Sequence, residues 1–329
     1  MTPPRKLILD SSLDSIKKCA KLLELGELVA VPTETVYGLA ANALSEQAVR
    51  KIFSVKGRPL IDPLITHFKS AESAFSHVHS SEPAEALASA FWPGPLTLVL
   101  EKRPIIPDLV TAGLSTAAIR VPNQPLMQAL LREIDFPLAA PSANPFGYVS
   151  PTRPEHVAET LGRSIAAILD GGPCHHGIES TVLDLRHPHL PKILRPGPIS
   201  IRQIEEALGQ KITSAQASAS IQQAQISPGQ LSKHYSPHTK IKIVAHGALD
   251  FVFKEGEAIV ANKKPPISQD EHVFWLSENG ELEVVARNFF DLIQKLDRMP
   301  YSSLIIEEAP EEGLGIAIND RLRRAASPS

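Results

Sequence analysis

The chain has 329 residues, a net charge of -3 and 43% hydrophobic residues. That length exceeds one typical core, so two domains are expected, and the near-neutral, apolar-rich composition excludes the disordered and supercharged classes. No apolar run approaches the ~20 residues of a membrane span, and residues 1–10 lack the apolar stretch of a secretory signal, so a cytoplasmic protein with no membrane partner is expected. Cys19 and Cys174 match neither a disulfide framework nor a metal-binding spacing and read as structural thiols.

Apolar Leu13, Ile16, Ala20 and Leu23 recur at helical spacing and predict a helix over 11–24, stopped by Gly26. A buried strand over 28–31 follows, then a helix over 45–55, a strand over 63–68 and a helix over 83–91. Strands are expected over 96–100 and 117–121, a helix around 124–133, and strands near 137–140, 166–169, 181–185 and 192–194. A helix over 199–208 closes this part. Residues 213–227 are rich in Ser, Ala and Gln without apolar periodicity and read as a linker. The pattern restarts with strands over 241–245, 258–261, 273–276 and 303–306 and helices over 286–296 and 314–325. The whole is an α/β or α+β chain around one large sheet, followed by a small parallel α/β unit. Residues 1–240 carry 23 Lys+Arg against 21 Asp+Glu, and residues 241–329 carry 10 against 15, so neither part is a strongly basic nucleic-acid binder.

Proline is overused, with 29 residues where ordinary usage of ~5% would give about half as many. Many prolines flank residues able to do chemistry, which reads as stiff loops that hold functional groups. Phosphate-binding GxxxxGK[ST] is absent, and Gly313-Leu314-Gly315 lacks the third glycine of a dinucleotide fingerprint. Lys56-Gly57-Arg58-Pro59 puts two cations on a turn after a predicted helix, either for phosphate or carboxylate or as a solvated helix end. Ser142-Ala143-Asn144 follows the 137–140 strand, either in the crevice outside a strand's carboxyl end or as an ordinary turn. Thr33-Glu34-Thr35 is either a site loop or a cap for the next element. Arg120, inside an apolar strand, requires a carboxylate from the protein or from a ligand. His67 ends its strand as a site group or a satisfied structural histidine. The adjacent His175 and His176 are expected to point apart, which argues against a metal site.

Pro32-Thr33-Glu34-Thr35-Val36-Tyr37-Gly38-Leu39, Lys56-Gly57-Arg58-Pro59, Pro63-Leu64-Ile65-Thr66-His67 and Trp92-Pro93-Gly94-Pro95-Leu96-Thr97 occur in one order with Ile119-Arg120-Val121-Pro122, Pro141-Ser142-Ala143-Asn144 and Glu179-Ser180-Thr181-Val182. Together they closely resemble the YrdC-type threonylcarbamoyl-AMP synthases over about residues 12–210. His234-Tyr235-Ser236-Pro237 and Gly315-Ile316-Ala317-Ile318-Asn319-Asp320-Arg321-Leu322 look like the linker and C-terminal end of that family's long, two-domain form.

The resemblance implies a YrdC-like twisted sheet flanked by helices over 1–212, a linker or lid over 213–240, and a smaller parallel, Rossmann-like α/β domain over 241–329. It implies condensation of L-threonine, bicarbonate or CO2, and ATP into L-threonylcarbamoyl-AMP and pyrophosphate. Separate transferase proteins would then modify tRNA to threonylcarbamoyladenosine. By matching the family motifs, Lys56, Arg58, Ser142 and Asn144 would carry the chemistry, and Thr35, His67, Arg120, Ala140 and Ser180 would hold threonine. Arg58, Asp62, Thr116, Ser142, Ser150, Arg195 and Tyr235 would line the nucleotide. Mg²⁺ would be held through the phosphates and not by a protein cage. Asp62 stands where the family usually has Asn, which leaves its nucleotide-side role in question. A weak RNA contact is a further partner expectation. A competing expectation is a non-enzymatic RNA-binding or regulatory protein of the same fold, and a third is an enzyme that carbamoylates another acceptor.

Overall fold

The computed structural model describes residues 7–214, 235–252, 254–266 and 269–327. Most of the expected linker, including His234, lies outside the described residues. Eleven strands of the described residues form one mixed sheet: β1 (Ile8–Leu9), β2 (Val29–Val31), β3 (Gly38–Asn42), β4 (Ile65–His67), β5 (Leu96–Glu101), β6 (Thr116–Arg120), β7 (Leu138–Ala139), β8 (Ala167–Leu169), β9 (Thr181–Asp184), β10 (Lys192–Arg195) and β11 (Thr213–Ser214). Their spatial order is β1-β8-β2-β3-β7-β4-β6-β5-β9-β10-β11. The helices around it are α1 (Leu13–Glu24), α2 (Glu46–Lys56), α3 (Ala71–Phe75), α4 (Glu82–Phe91), α5 (Pro125–Arg132), α6 (Pro154–Leu161) and α7 (Ile201–Leu208).

The expected helices and strands of this part are present, with four kinds of difference. Thr33-Glu34-Thr35 caps no helix, because a strand, β3, follows it. A Gly-Leu-Ala-Ala-Asn run has weak strand preference by itself, but it is paired on both sides, antiparallel to β2 and to β7. Helix α6 begins at Pro154 inside a stretch dense in prolines; the missing N–H of a proline costs nothing in a helix's first turn. Helix α3 and the two-residue strand β1 were too short to give a periodic signal. Strand β11 pairs parallel with β10, so the sheet runs two residues into the stretch read as linker.

The side-chain alternation of the strands decides where the site lies. On one face Ala30, Leu39, Leu98, Ala117, Ile119, Ala139 and Leu183 pack into the largest core, which also takes Ile52 and Phe53 of α2, Leu87 of α4, Leu161 of α6 and Ile204 of α7. On the other face Val29, Val31, Ala40, Leu138 and Ala140 pack under Leu23 of α1 and Leu130 of α5. Beyond β7 that second face carries Ile65, Val99, Ala118, Val182 and Leu194, a small apolar cluster to which no helix residue belongs. His67 and Arg120 lie on this uncovered half, directly opposite each other in the parallel β4–β6 ladder.

A second sheet, all parallel, comprises β12 (Lys240–Val244), β13 (Glu257–Lys263), β14 (Val273–Ser277) and β15 (Ser303–Glu307) in the order β12-β15-β13-β14, with α8 (Leu282–Leu296) and α9 (Gly315–Ala325). This is the small parallel unit expected. Its helix α8 seats against the first sheet's loops: Gln294 Nε2 donates to Ser150 O at 2.9 Å and Tyr148 OH donates to Asp297 at 2.8 Å. Gly177, at φ +74°, passes so near α8 that a Cβ there would stand 2.5 Å from Ala286 O. Among the described residues no helix is long and apolar enough to cross a membrane.

Asn319 is buried in α9 and locks the loop before it: Ala309 N donates to Asn319 Oδ1 at 2.8 Å, and Asn319 Nδ2 donates to Ala309 O at 2.9 Å. Asn319→Ala leaves both backbone groups buried and unpaired, at about 1–3 kcal/mol each. The urea midpoint should fall with little change in m-value.

Candidate active site

A cleft of about 520 Å³, partly open to solvent, lies over the helix-free half of the sheet. Its walls include Thr35, Arg58, His67, Arg120, Ala140, Ser142, Ser180, Arg195 and Tyr235. Nine of the residues implied by the family motifs therefore meet in one cavity, although they are spread from residue 35 to residue 235. The cavity lies over the part of the sheet face that α1 and α5 leave uncovered, and it takes residues from strand carboxyl ends: His67 ends β4, Arg120 ends β6, Arg195 ends β10, and Ala140 and Ser142 follow β7.

Arg120 is tied down on three sides. Its Nε donates to Gly94 O at 3.1 Å, Nη1 donates to Thr35 Oγ1 at 3.0 Å, and Nη2 stands 2.7 Å from Glu34 Oε1. The carboxylate that its burial demands is thus supplied by the protein, as a close charge contact with Glu34. Burial pushes the Glu34 carboxyl up, but the Arg120 guanidinium outweighs that and holds it below the ordinary range. Thr33 shapes this loop: its Oγ1 donates to Val36 O at 2.6 Å and accepts from Thr35 N and Val36 N, each at 3.1 Å. The Trp92–Pro95 turn supplies the Gly94 carbonyl, a role the sequence did not disclose.

On the opposite wall, Arg58 Nε donates to Asp62 O at 3.1 Å, and Nη2 donates to Pro63 O at 2.7 Å and pairs with Asp62 Oδ2 at 3.0 Å. Arg195 Nε donates to Ser180 O at 3.1 Å and Nη2 donates to Ser180 Oγ at 3.1 Å. Arg58 Nη1 and Arg195 Nη1 make no hydrogen bond among the described residues. Ser180 Oγ also meets Thr97 Oγ1 at 2.8 Å.

Five of the implied residues do not line the cavity. Lys56 ends α2 at the left-handed Gly57 cap, and its ammonium donates to Ser142 O at 2.6 Å and Asn144 O at 2.5 Å. It is therefore a buried strut under the Ser142 loop and not a solvated helix end. Burial, then the nearby Arg58, pulls its pKa well below the usual lysine range. Asn144 Nδ2 donates to Pro145 O and Tyr148 O, each at 2.9 Å, so this amide braces the loop. Asp62 faces Arg58, and burial raises its carboxyl above the usual range despite the arginine. Ser150 Oγ donates to Glu179 at 2.5 Å. Thr116 shares the face of Arg120 on β6 but stands four residues away, about 13 Å at strand rise.

Two further residues escaped the sequence reading. Glu179 lines the cavity, and Arg321, in α9, pairs with it at 2.8 Å. Both lie in stretches whose pattern was recognised, but nothing local distinguishes them, since their contact spans 142 positions. His175 and His176 do not point apart: their rings stack at 4.9 Å and 6° because the loop folds back against α8. Among the described residues no cluster of three or more His, Cys, Asp or Glu could hold a metal. Cys19 and Cys174 are buried free thiols, with Cys19 pushed up to about 11 by burial.

A family model described as "Telomere recombination" matches residues 21–197, and one described as "Threonylcarbamoyl-AMP synthase, C-terminal domain" matches residues 199–327. A threonylcarbamoyl-AMP synthase of Pyrococcus abyssi is 41% identical over 94% of this chain and 94% of its own length. The chain belongs to the threonylcarbamoyl-AMP synthase family. A synthase of Bacillus subtilis is 39% identical over 94% of this chain and 92% of its own. Among solved structures, P. abyssi Sua5 complexed with L-threonine superposes with a TM-score of 0.89 at 38% identity, covering 97% of both chains. The family's large twisted sheet and separate parallel domain are both present here.

His67 is buried against Arg120, and its Nδ1 has no partner among the described residues. Burial first, and the neighbouring guanidinium second, push its pKa down to about 3. The unfolded imidazole takes up a proton near pH 6.5 that the folded one refuses, so His67 costs stability as pH falls from about 6.5 toward 3, at up to ~1.4 kcal/mol per pH unit. Urea unfolding of wild type and His67→Gln between pH 7.5 and 5 should show the stability gap narrowing as pH falls.

Proposed function

We propose that this protein is a cytoplasmic L-threonylcarbamoyladenylate synthase that joins L-threonine, bicarbonate or CO2, and ATP, releasing pyrophosphate. The observation that carries this reading is the cavity itself, in which three buried guanidiniums surround hydroxyl groups and a neutral imidazole. Such a lining suits two anions held side by side. The threonine amine adds to CO2 and loses a proton to give a carbamate. The carbamate oxygen then bonds to the α-phosphorus of ATP as the bond to the departing pyrophosphate breaks.

Arg120 suits the threonine carboxylate, with Thr35, His67, Ser180 and the Ala140 backbone around the rest of the amino acid. Arg120 is already anchored to Gly94 and Thr35, so it meets a ligand in a fixed orientation. Arg58 and Arg195, whose Nη1 groups make no hydrogen bond among the described residues, suit the phosphates, beside Ser142. Lys56 and Asn144 hold the Ser142 loop in place, and Thr116 and Ser150 lie at the margin of the nucleotide side. Fixed cations offset charge as it builds on the α-phosphoryl oxygens. Orientation of carbamate and ATP can supply roughly 7–11 kcal/mol of the barrier. Tyr235, a buried residue of the cavity lining, would help to keep water from a carbamate that otherwise loses CO2. The carboxylate in the lining, Glu179, is engaged with Arg321, and those behind it with the lining arginines, Glu34 with Arg120 and Asp62 with Arg58. They form no cation cage, so Mg²⁺ enters this proposal as a companion of the ATP phosphates and no step is assigned to it. The adenylate would pass to separate transferase proteins for tRNA modification, and the near-neutral charge of residues 1–240 favours small anions over RNA as the ligand of this surface.

Purified protein should form pyrophosphate from ATP only with threonine and bicarbonate both present; equal pyrophosphate without threonine would refute the assignment. Among the described residues Arg195 is bonded to Ser180 and to no carboxylate, so Arg195→Gln strands none of their acids and should raise KM for ATP by about 10- to 100-fold.

Hydroxyl-specific contacts reject valine strongly, whereas telling threonine from serine rests on one methyl, worth about 1–3 kcal/mol. Competition kinetics should therefore rank serine above valine as the rival substrate.

A further inference from the structure

Arg321 is the largest fully buried side chain of the described residues, with 0% exposure, and belongs to a helix of the second domain. It reaches across into the first domain. Its Nε donates to Glu179 Oε2 at 2.8 Å and its Nη2 donates to Pro196 O at 2.9 Å. Its Nη1 is held at home by Asp320 at 2.6 Å, and its guanidinium lies 5.5 Å from the Tyr235 ring centroid. The other Glu179 oxygen accepts from Ser150 Oγ. Glu179 precedes Ser180, and Pro196 follows Arg195. One guanidinium thus grips two loops at the positions beside two residues of the cavity wall. Those loops touch directly: Arg195 binds Ser180, and a Cβ on Gly197 would stand 2.3 Å from Thr181 N. With so little slack, a shift at Pro196 or Glu179 moves Arg195 or Ser180 with it.

We propose that Arg321 is a positioning residue for the first domain's site, acting through Pro196 on Arg195, through Glu179 on Ser180, and through its cation face on Tyr235. The second domain is thereby a structural part of the active site and not an appendage to it. The proposal rests on the synthase reading for the roles of Arg195 and Ser180.

A lysine at 321 can reach one acceptor but not two in the planar fork geometry of arginine. It keeps its charge beside Glu179, so the acid is not left buried and alone, and it gives up the Pro196 carbonyl. Full-length Arg321→Lys should therefore raise KM for ATP about tenfold or more while KM for threonine stays within about twofold, the scale expected when a positioned group drifts by a fraction of an ångström. Its melting curve should stay cooperative. Arg321→Ala should weaken both substrates, and Arg323→Ala, on the solvent side of the same helix, should change neither. An Arg321→Lys protein with wild-type ATP kinetics overturns the proposal. So does a loss of both substrates in proportion to the fraction melted. Calorimetric binding of ATP and of threonine is measured alongside turnover. If wild type makes no adenylate, the synthase reading fails, while selective loss of ATP binding in Arg321→Lys still upholds the role of Arg321.

Discussion

Burial of guanidinium groups is the constraint on which the rest of this structure depends. Arg58, Arg120, Arg195 and Arg321 are all withdrawn from water, a state that is costly unless the donors are matched. Carboxylates answer only part of the demand. The hydroxyls of Thr35 and Ser180 accept from Arg120 and Arg195, and backbone carbonyls take a further share: those of Asp62 and Pro63 for Arg58, Gly94 for Arg120, Ser180 for Arg195 and Pro196 for Arg321. Asp62 and Gly94 each precede a proline, and Pro63 and Pro196 are prolines themselves. A proline-stiffened loop holds its carbonyl in one direction at little further entropy cost. Pro63, Pro95 and Pro196 thus tie a part of the proline surplus to the buried charge.

Carbonyl anchoring has an electrostatic result. An arginine neutralised by a carboxylate contributes little field to a cavity, whereas one held by dipoles keeps most of its positive charge. Arg195, bonded among the described residues to Ser180 alone, is of the second kind. Arg58 and Arg120 are intermediate, each sharing a carboxylate with the protein. The cleft therefore presents graded positive potential beside a neutral His67, which offers hydrogen bonding without a further charge.

Much of this was legible in the sequence, since strands with alternating or wholly apolar character and helices with capped, periodic faces were long enough to be read. Most of the motifs brought together in the cavity were visible because they are proline- or glycine-marked segments at strand ends; Glu179-Ser180-Thr181-Val182 carries neither residue. What was not legible is non-local. Strand β3 exists because β2 and β7 flank it, not because Gly-Leu-Ala-Ala prefers to extend. Lys56 reads as a free cation until its two carbonyl acceptors, 86 and 88 positions away, are seen. The partner of Arg120 could have been a protein or a ligand acid, and only packing shows Glu34 beside it. The stacking of His175 on His176 likewise follows from a tertiary fold-back that neighbour geometry could not reveal.

Spatial order in the large sheet departs widely from chain order: β3 lies beside β7, β5 beside β9, and β1 beside β8. Contacts of that separation close long loops before they return any stabilisation, which slows folding and makes it strongly cooperative. Of these pairings, β5–β9 lies in the helix-free half of the sheet, whereas β3–β7 and β1–β8 lie under α1 and α5. A nascent or partly refolded chain can contain every helix of the first domain and still have no pocket, because the walls come from segments between Thr33 and Tyr235 that only the completed sheet brings together.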